Sequence, residues 1–228
     1  MEAVRQLLRK QGLKILRPKV IPGKPPSEAE QRAFVAHAAT MKATYEPGTG
    51  FLFLDAMHLV HQNESGDCWG DPKDPPGMKT NRGRKRRNLL GGYHPADHSL
   101  IHLTGEGNCD AERVVEFFHL VVSTHSTAPN SVMFSDNAKY FKAGLVNAWL
   151  TAHPQVNLEF IPAYAPNLNL IERLWKFVKE HVVKNTYDEK YKTFRARVFR
   201  FLNPVEDYVE ELKTRMVEKF ESIRVKTA

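Results

Sequence analysis

Ile161-Pro-Ala-Tyr-Ala-Pro-Asn-Leu-Asn-Leu-Ile-Glu-Arg-Leu-Trp-Lys-Phe-Val-Lys-Glu-His-Val-Val183 makes two different demands on the backbone. Pro162 and Pro166 fix their own φ and push Ala165 away from helical geometry, so the first half reads as an extended approach. Beyond it, Leu170, Ile171, Leu174, Trp175, Val178 and Val182 recur at helical spacing and make one apolar face. Asn167 or Asn169 is placed to cap this helix by accepting from its first free backbone N–H groups. Glu172, Lys176, Lys179 and Val183 fall on another face, which sets Glu172 in the first turn, looking away from the core. The helix dipole holds a carboxylate comfortably there. Taken alone, Glu172 is either a cap or one arm of a metal site.

Two upstream runs bear on that choice. Phe51-Leu-Phe-Leu-Asp55 and Ser131-Val-Met-Phe-Ser-Asp136 each read as a buried strand ending in an acid. Two such strands and a helix opening with Glu form a pattern for three carboxylates meeting at one sheet edge, where ligands of open α/β sheets gather. Residues 137–171 leave room for a helix, a strand and the proline-stiffened approach.

The rest of the chain fits around these runs. Residues 1–11 form a short amphipathic helix with Gly12 as its stop, and the proline-rich stretch 14–26 reads as a linker. A second helix is expected over 28–42. Strand one covers 51–57, and residues 62–88 hold too many Gly, Pro and Asp residues for regular structure. Long loops of this kind are often functional, and Trp69 argues that this one docks. It ends in Lys79-Thr-Asn-Arg-Gly-Arg-Lys-Arg-Arg87, six cations without an acid, a candidate for phosphate contact. Antiparallel strands follow at 88–93 and 98–103, then a helix over 109–125, the strand carrying Asp136, one helix over 139–153, a strand over 156–161 and the Glu172 helix. Further helices are expected up to Arg200 and over 205–224. The expected order is β-β-β-α-β-α-β-α.

A net charge of +7 favours an anionic partner, and a hydrophobic content of 42% supports a real core. Cys68 and Cys109 are the only cysteines, so a disulfide framework is not indicated. No run is long enough to span a bilayer and the N-terminus lacks an apolar signal core. A cytoplasmic, nucleoid-associated protein is expected.

The stretches Phe-Leu-Asp-Ala-Met-His (53–58), Arg-Asn-Leu-Leu-Gly-Gly (87–92), Phe-Ser-Asp-Asn-Ala-Lys-Tyr (134–140) and Pro-Ala-Tyr-Ala-Pro-Asn-Leu-Asn-Leu-Ile-Glu-Arg-Leu-Trp (162–175) resemble the DDE transposases, most closely the bacterial insertion-sequence branch of the mariner superfamily. The resemblance covers about residues 50–185. It implies an α/β, ribonuclease-H-like mixed sheet flanked by helices, and a DNA endonuclease and strand-transferase. Asp55, Asp136 and Glu172 would be the catalytic acids and the ligands of two Mg²⁺ or Mn²⁺ ions per site. Its partners would be double-stranded DNA, both transposon ends and target, and further copies of the chain, as a homodimer or higher assembly on DNA. The implied division is a residual N-terminal helix and linker over 1–45, a catalytic domain over 46–190 and a helical extension over 191–228. Arg82, Arg84, Lys85, Arg86, Arg87, Asn137, Lys139, Arg173 and Lys176 are the candidate DNA contacts, and His58 is expected near the metals.

Other readings stay open on sequence alone. The chain could be a stand-alone ribonuclease-H-like endonuclease, or a truncated, transposase-derived DNA-binding or regulatory module. His58, His61, Cys68, His94, His98 and Cys109 invite a zinc site, although no Cys-x-x-Cys pair supports one.

Overall fold

The computed structural model describes residues 2–12, 23–67, 74, 76–81, 83, 85–203 and 205–220. In chain order the elements are α1 (Glu2–Lys10), α2 (Glu28–Thr44), β1 (Gly50–Val60), β2 (Arg86–His94), β3 (Ser99–Gly105), α3 (Ala111–Thr124), β4 (Ser131–Ser135), α4 (Gly144–Ala152), β5 (Val156–Phe160), α5 (Leu170–Val182), α6 (Tyr191–Leu202) and α7 (Val209–Arg215). The strands form one sheet in the order β3-β2-β1-β4-β5. β1–β2 and β2–β3 are antiparallel, while β1–β4 and β4–β5 are parallel. No helix among the described residues is long and apolar enough to cross a membrane.

β1 is apolar on both sides because both of its faces are covered. Successive side chains point to opposite faces. Leu52 and Leu54 pack with Phe117, Phe118, Met133 and Trp149 on the side of α3 and α4. Phe53, Met57 and Leu59 pack with Phe134, Ile171, Leu174 and Trp175 on the side of α5. α2 joins the second layer through Phe34, Ala38 and Met41, with the Phe34 ring edge-on to Phe134 at 5.7 Å. Its start is a capping box: Ser27 Oγ accepts from Glu30 N–H at 3.2 Å, and Glu30 Oε2 accepts from Ser27 N–H at 2.7 Å. Asp110 caps α3 in the same sense, accepting from Arg113 N–H at 2.9 Å.

Three departures from the sequence expectations bear on the secondary-structure elements. The single helix expected over 139–153 is a 3-10 turn at Lys139–Lys142, an extended Ala143, and α4. Gly144 is a poor helix interior, and the bend lets Phe141 drop fully into the α3–α4 layer. The helix expected over 205–224 is a 3-10 turn at Val205–Tyr208 followed by α7, which ends at Arg215. Arg173 donates to the carbonyls of Val217 at 2.6 Å and Lys219 at 3.0 Å, which draws that backbone out of helical pairing. Residues 221–224 lie outside the described residues. Finally, Arg86 and Arg87, expected in the loop, begin β2 opposite Val60 and Leu59.

The long loop does dock where it is described. Glu64 bridges to Lys184, and Asn185 Oδ1 accepts from Gly66 N–H at 2.7 Å. Further along, Asn81 and His61 both donate to the carbonyl of Asp188, whose carboxylate pairs with Arg197 at 2.6 Å. Trp69 lies outside the described residues.

Consecutive glycines in β2 let both layers close on the sheet. Gly91 faces Asp55 across the β1–β2 ladder, and a Cβ there would stand 2.5 Å from Cη2 of Trp175. On the other face, a Cβ on Gly92 would stand 2.9 Å from Leu54 Cδ2 and 3.0 Å from Phe117 Cζ. Replacing Gly91 with Ala therefore forces the indole out of its seat. The expected loss is about 1–3 kcal/mol, read as a lower urea midpoint with an unchanged slope; an unchanged midpoint would show that the indole has room to move.

Candidate active site

The parallel register of β1 and β4 runs from Gly50↔Ser131 to Phe53↔Phe134. Carried on by two residues, it sets Asp55 level with Asp136, where β4 has ended and β1 continues. Asp55 is half-buried and Asp136 is exposed. The chain turns immediately after Asp136, whose Oδ1 accepts from Ala138 N–H at 3.1 Å. Asn137 fixes the turn from both ends of its amide, donating to the Ile161 carbonyl at 2.6 Å and accepting from Lys142 Nζ at 2.5 Å.

The third acid is placed by Asn169. It sits at the N-cap position of α5, but its side chain does not cap the helix as the sequence suggests. Instead its Nδ2 donates to the Leu54 carbonyl at 2.9 Å, in a fully enclosed position. Its backbone carbonyl accepts from Glu172 N–H at 3.2 Å. The first turn of α5 is thereby tied to the residue preceding Asp55. Asn167, the other expected cap, donates to Gln31 Oε1 at 3.0 Å and links the approach to α2. Asp136, Asn137, Tyr164, Asn169 and Glu172 line one cleft of about 400 Å³.

The acids disturb one another. Burial, then Glu172, then Asp136 push the Asp55 carboxyl up to about 8, against the pull of the Ala56 N–H and the Trp175 indole. The indole N–H is buried without a hydrogen bond of normal geometry, so it favours the Asp55 carboxylate by proximity alone. Glu172 is exposed by area, yet its carboxyl is also raised, through loss of water first and through Asp136, while Lys179 opposes. Among the described residues, no three His, Cys, Asp or Glu side chains close into a ready-made metal cage. The three acids share a region without converging on one point. The donor set is nonetheless all hard oxygen, and a half-buried acid that resists ionisation is relieved by a divalent cation.

The other expected site residues are distributed differently. Arg173, a candidate DNA contact, is a clamp on the C-terminal segment, its guanidinium spent on two carbonyls and lying over the Phe220 ring at 5.8 Å. Arg86 donates to Asn108 Oδ1 at 2.7 Å and Arg87 to Thr104 Oγ1 at 2.8 Å. Lys85 lies over the Tyr191 ring at 5.4 Å. Lys139 and Lys176 are exposed, and Arg82, Arg84 and Cys68 lie outside the described residues. His58 is an odd number of residues from Asp55, so strand alternation turns it to the opposite face, where it pairs with Asn88 Oδ1 at 2.7 Å. The zinc reading has no support among the described residues: His61 is bonded to the Asp188 carbonyl, His94 to Asp97 and His98 to Tyr93. Burial raises the Cys109 thiol to about 11, which opposes thiolate ligation. Sequence reasoning missed Tyr164, whose signal was an aromatic set between two prolines.

A profile of the family described as DDE superfamily endonuclease matches residues 50–195. Comparison with the sequences of curated proteins gave no match. Among solved structures, the chain is similar to the Mos1 transposase paired-end complex with left transposon end, at 16% identity and a TM-score of 0.63, over 96% of this chain and 71% of that one. It is also similar to the mariner Mos1 paired-end complex with Mg, at 17% identity and a TM-score of 0.62, over 97% and 72%. The Mos1 transposase catalytic domain with raltegravir and Mn is covered completely, by 88% of this chain, at 12% identity and a TM-score of 0.53. At such identities the likeness is one of fold, and that fold is the ribonuclease-H-like mixed sheet that the sequence led us to expect. Because the family profile spans most of the chain, from β1 through α5, the protein belongs to the DDE superfamily endonucleases.

Proposed function

We propose that this chain is the catalytic domain of a DNA transposase, from the insertion-sequence branch of the mariner superfamily, with Asp55, Asp136 and Glu172 as its catalytic acids. The observation that carries the reading is the parallel β1–β4 pairing, which brings two strand-borne acids level beside an α5 whose first turn is tied to Leu54. Residues 46–190 would hold the catalytic machinery, with 1–45 an N-terminal helix and linker and 191–228 a helical extension. Double-stranded DNA is the substrate, and a second copy of the chain holds the paired end.

Asp55, Asp136 and Glu172 would together hold two Mg²⁺ or Mn²⁺ ions. When bound, such ions activate an oxygen nucleophile and stabilise the leaving 3′ oxygen. The chain's own residues do the positioning. Asn137 and Asn169 fix the backbone that carries Asp136 and Glu172, and Lys139 and Lys176 flank the cleft's acids in sequence as exposed cations for backbone phosphate. Asp55 must give up its proton before it can act as a ligand, so cation binding competes with protonation there.

The direct test is nicking of supercoiled plasmid with Mg²⁺ or Mn²⁺. Wild type should nick, and Asp136→Asn should lose at least about 100-fold; equal nicking by both proteins would end the reading. Joined-end products separate a transposase from an endonuclease that only cuts.

A second test uses stability. Asp55 holds its proton more tightly folded, at about 8, than its ordinary 3.8. Between those values the unfolded chain releases its proton first, so this contribution is present at low pH and is lost as pH rises toward 8. In EDTA the melting temperature should therefore decline over this range less steeply for Asp55→Asn than for wild type. Mg²⁺ or Mn²⁺ should raise the wild-type melting temperature more at pH 8 than at pH 5. A metal effect independent of pH, or equal slopes for the two proteins, would remove Asp55 from the site.

A further inference from the structure

Tyr164 has a positive φ of 60°, in the left-handed region, which is unfavourable for any residue with a Cβ and rare for an aromatic one. The strain is not used to bury the ring, which is 65% exposed. Among the described residues, its side chain makes no hydrogen bond and stacks on no other ring.

Both flanks hold the residue in this conformation. Ile161, buried, donates its N–H to the Ser135 carbonyl at 2.8 Å and accepts from Asn137 Nδ2 at 2.6 Å. Ala165 is buried, and its carbonyl accepts from Leu168 N–H at 3.0 Å. Pro162 and Pro166 stiffen the two sides. A strained backbone that its surroundings over-determine, with the side chain left in solvent, is the mark of a functional position. The ring lies on the wall of the cleft that also holds Asp136 and Glu172.

We propose that Tyr164 is a stacking platform for an unpaired DNA base beside the catalytic acids. This rests on the reading of the cleft as a DNA-processing site. The cleft, at about 400 Å³, has the size of a small-ligand site and admits one nucleotide-sized group. A base inside a duplex has both faces covered by its neighbours, so a single exposed ring at the end of a short turn reaches only a base that is frayed, flipped or single-stranded. Every base has a π-face, so the platform accepts any of the four. It would hold the nucleotide next to the reacting phosphate and keep the strand from re-pairing across the acids.

The test is metal-free binding, by fluorescence anisotropy, of two single-stranded probes: an oligomer of about twelve deoxythymidines, and one of equal length whose sugars lack bases. Wild type should bind the first about fivefold or more tightly than the second. Tyr164→Ala should close most of that gap by weakening the first probe alone, and Tyr164→Phe should stay within about twofold of wild type. Tyr164→Gly, which relieves the positive φ, should close the gap without a lower melting temperature. The proposal is overturned if wild type shows no preference, if the preference survives in Tyr164→Ala, or if both probes weaken equally. Plasmid nicking judges the catalytic reading separately. Nicking with an unaltered preference removes the platform alone, and a collapsed preference without nicking removes the catalytic reading alone.

Discussion

The hydrogen bond from Asn169 Nδ2 to the Leu54 carbonyl, 2.9 Å long and closed off from solvent, is the constraint on which the site depends. The recorded β1–β4 pairing stops at Phe53↔Phe134, so Leu54 is the first β1 residue beyond it, and Asn169 supplies its buried carbonyl with a partner. An unmade buried bond of this kind costs about 1–3 kcal/mol. One side chain satisfies that carbonyl and also sets where α5 begins. The position of Glu172 relative to Asp55 then follows from the helix geometry of three residues. The extended approach before it serves the same end, because a chain stiffened by Pro162 and Pro166 delivers Asn169 to one place.

The floor beneath the site is apolar and tightly specified. Trp175, one turn after Glu172, lies against Gly91, which in turn faces Asp55 across the ladder. The indole is therefore both core and neighbour to a catalytic candidate: its carbon edge fills the space a glycine leaves, and its N–H favours the carboxylate above it. That dual use explains Gly91 in the middle of a strand, where conformational entropy argues against it, while Gly92 answers to Leu54 and Phe117 on the other face. Packing and electrostatics are coupled here through one ring.

Much of this was legible in the sequence. The helical spacing of Leu170, Ile171, Leu174, Trp175 and Val178 was decided by local periodicity, and all five are buried. The strands ending in Asp55 and near Asp136 carried their own signal, because strands covered on both faces must be apolar throughout. The parts that could not be read depend on distant partners. Nothing local announces that Arg173 will clamp carbonyls 44 and 46 residues away and unwind the chain there. Asn169 read as a cap because Asn is a good cap, but a carbonyl 115 residues upstream outcompeted the helix for its side chain. His58, expected near the metals from the family resemblance, is turned away by the two-residue period of a strand and pairs with Asn88 instead.

The three acids also explain why such a site needs so much scaffolding. Each carboxylate hangs from a separate anchor: the middle of β1, the end of β4 and the first turn of α5. In a looser fold, repulsion among them would be relieved by letting one anchor drift. Here β1 and β4 are fixed by their ladder, and α5 by the Leu54 bond and by seven buried side chains. The conflict cannot be released by moving the backbone, so it adds to the burial that chiefly raises the proton affinity of Asp55 and Glu172. A rigid frame that holds acids in mutual opposition stores in advance the attraction a divalent cation would feel on entering, and the core beneath supplies the stability to hold it.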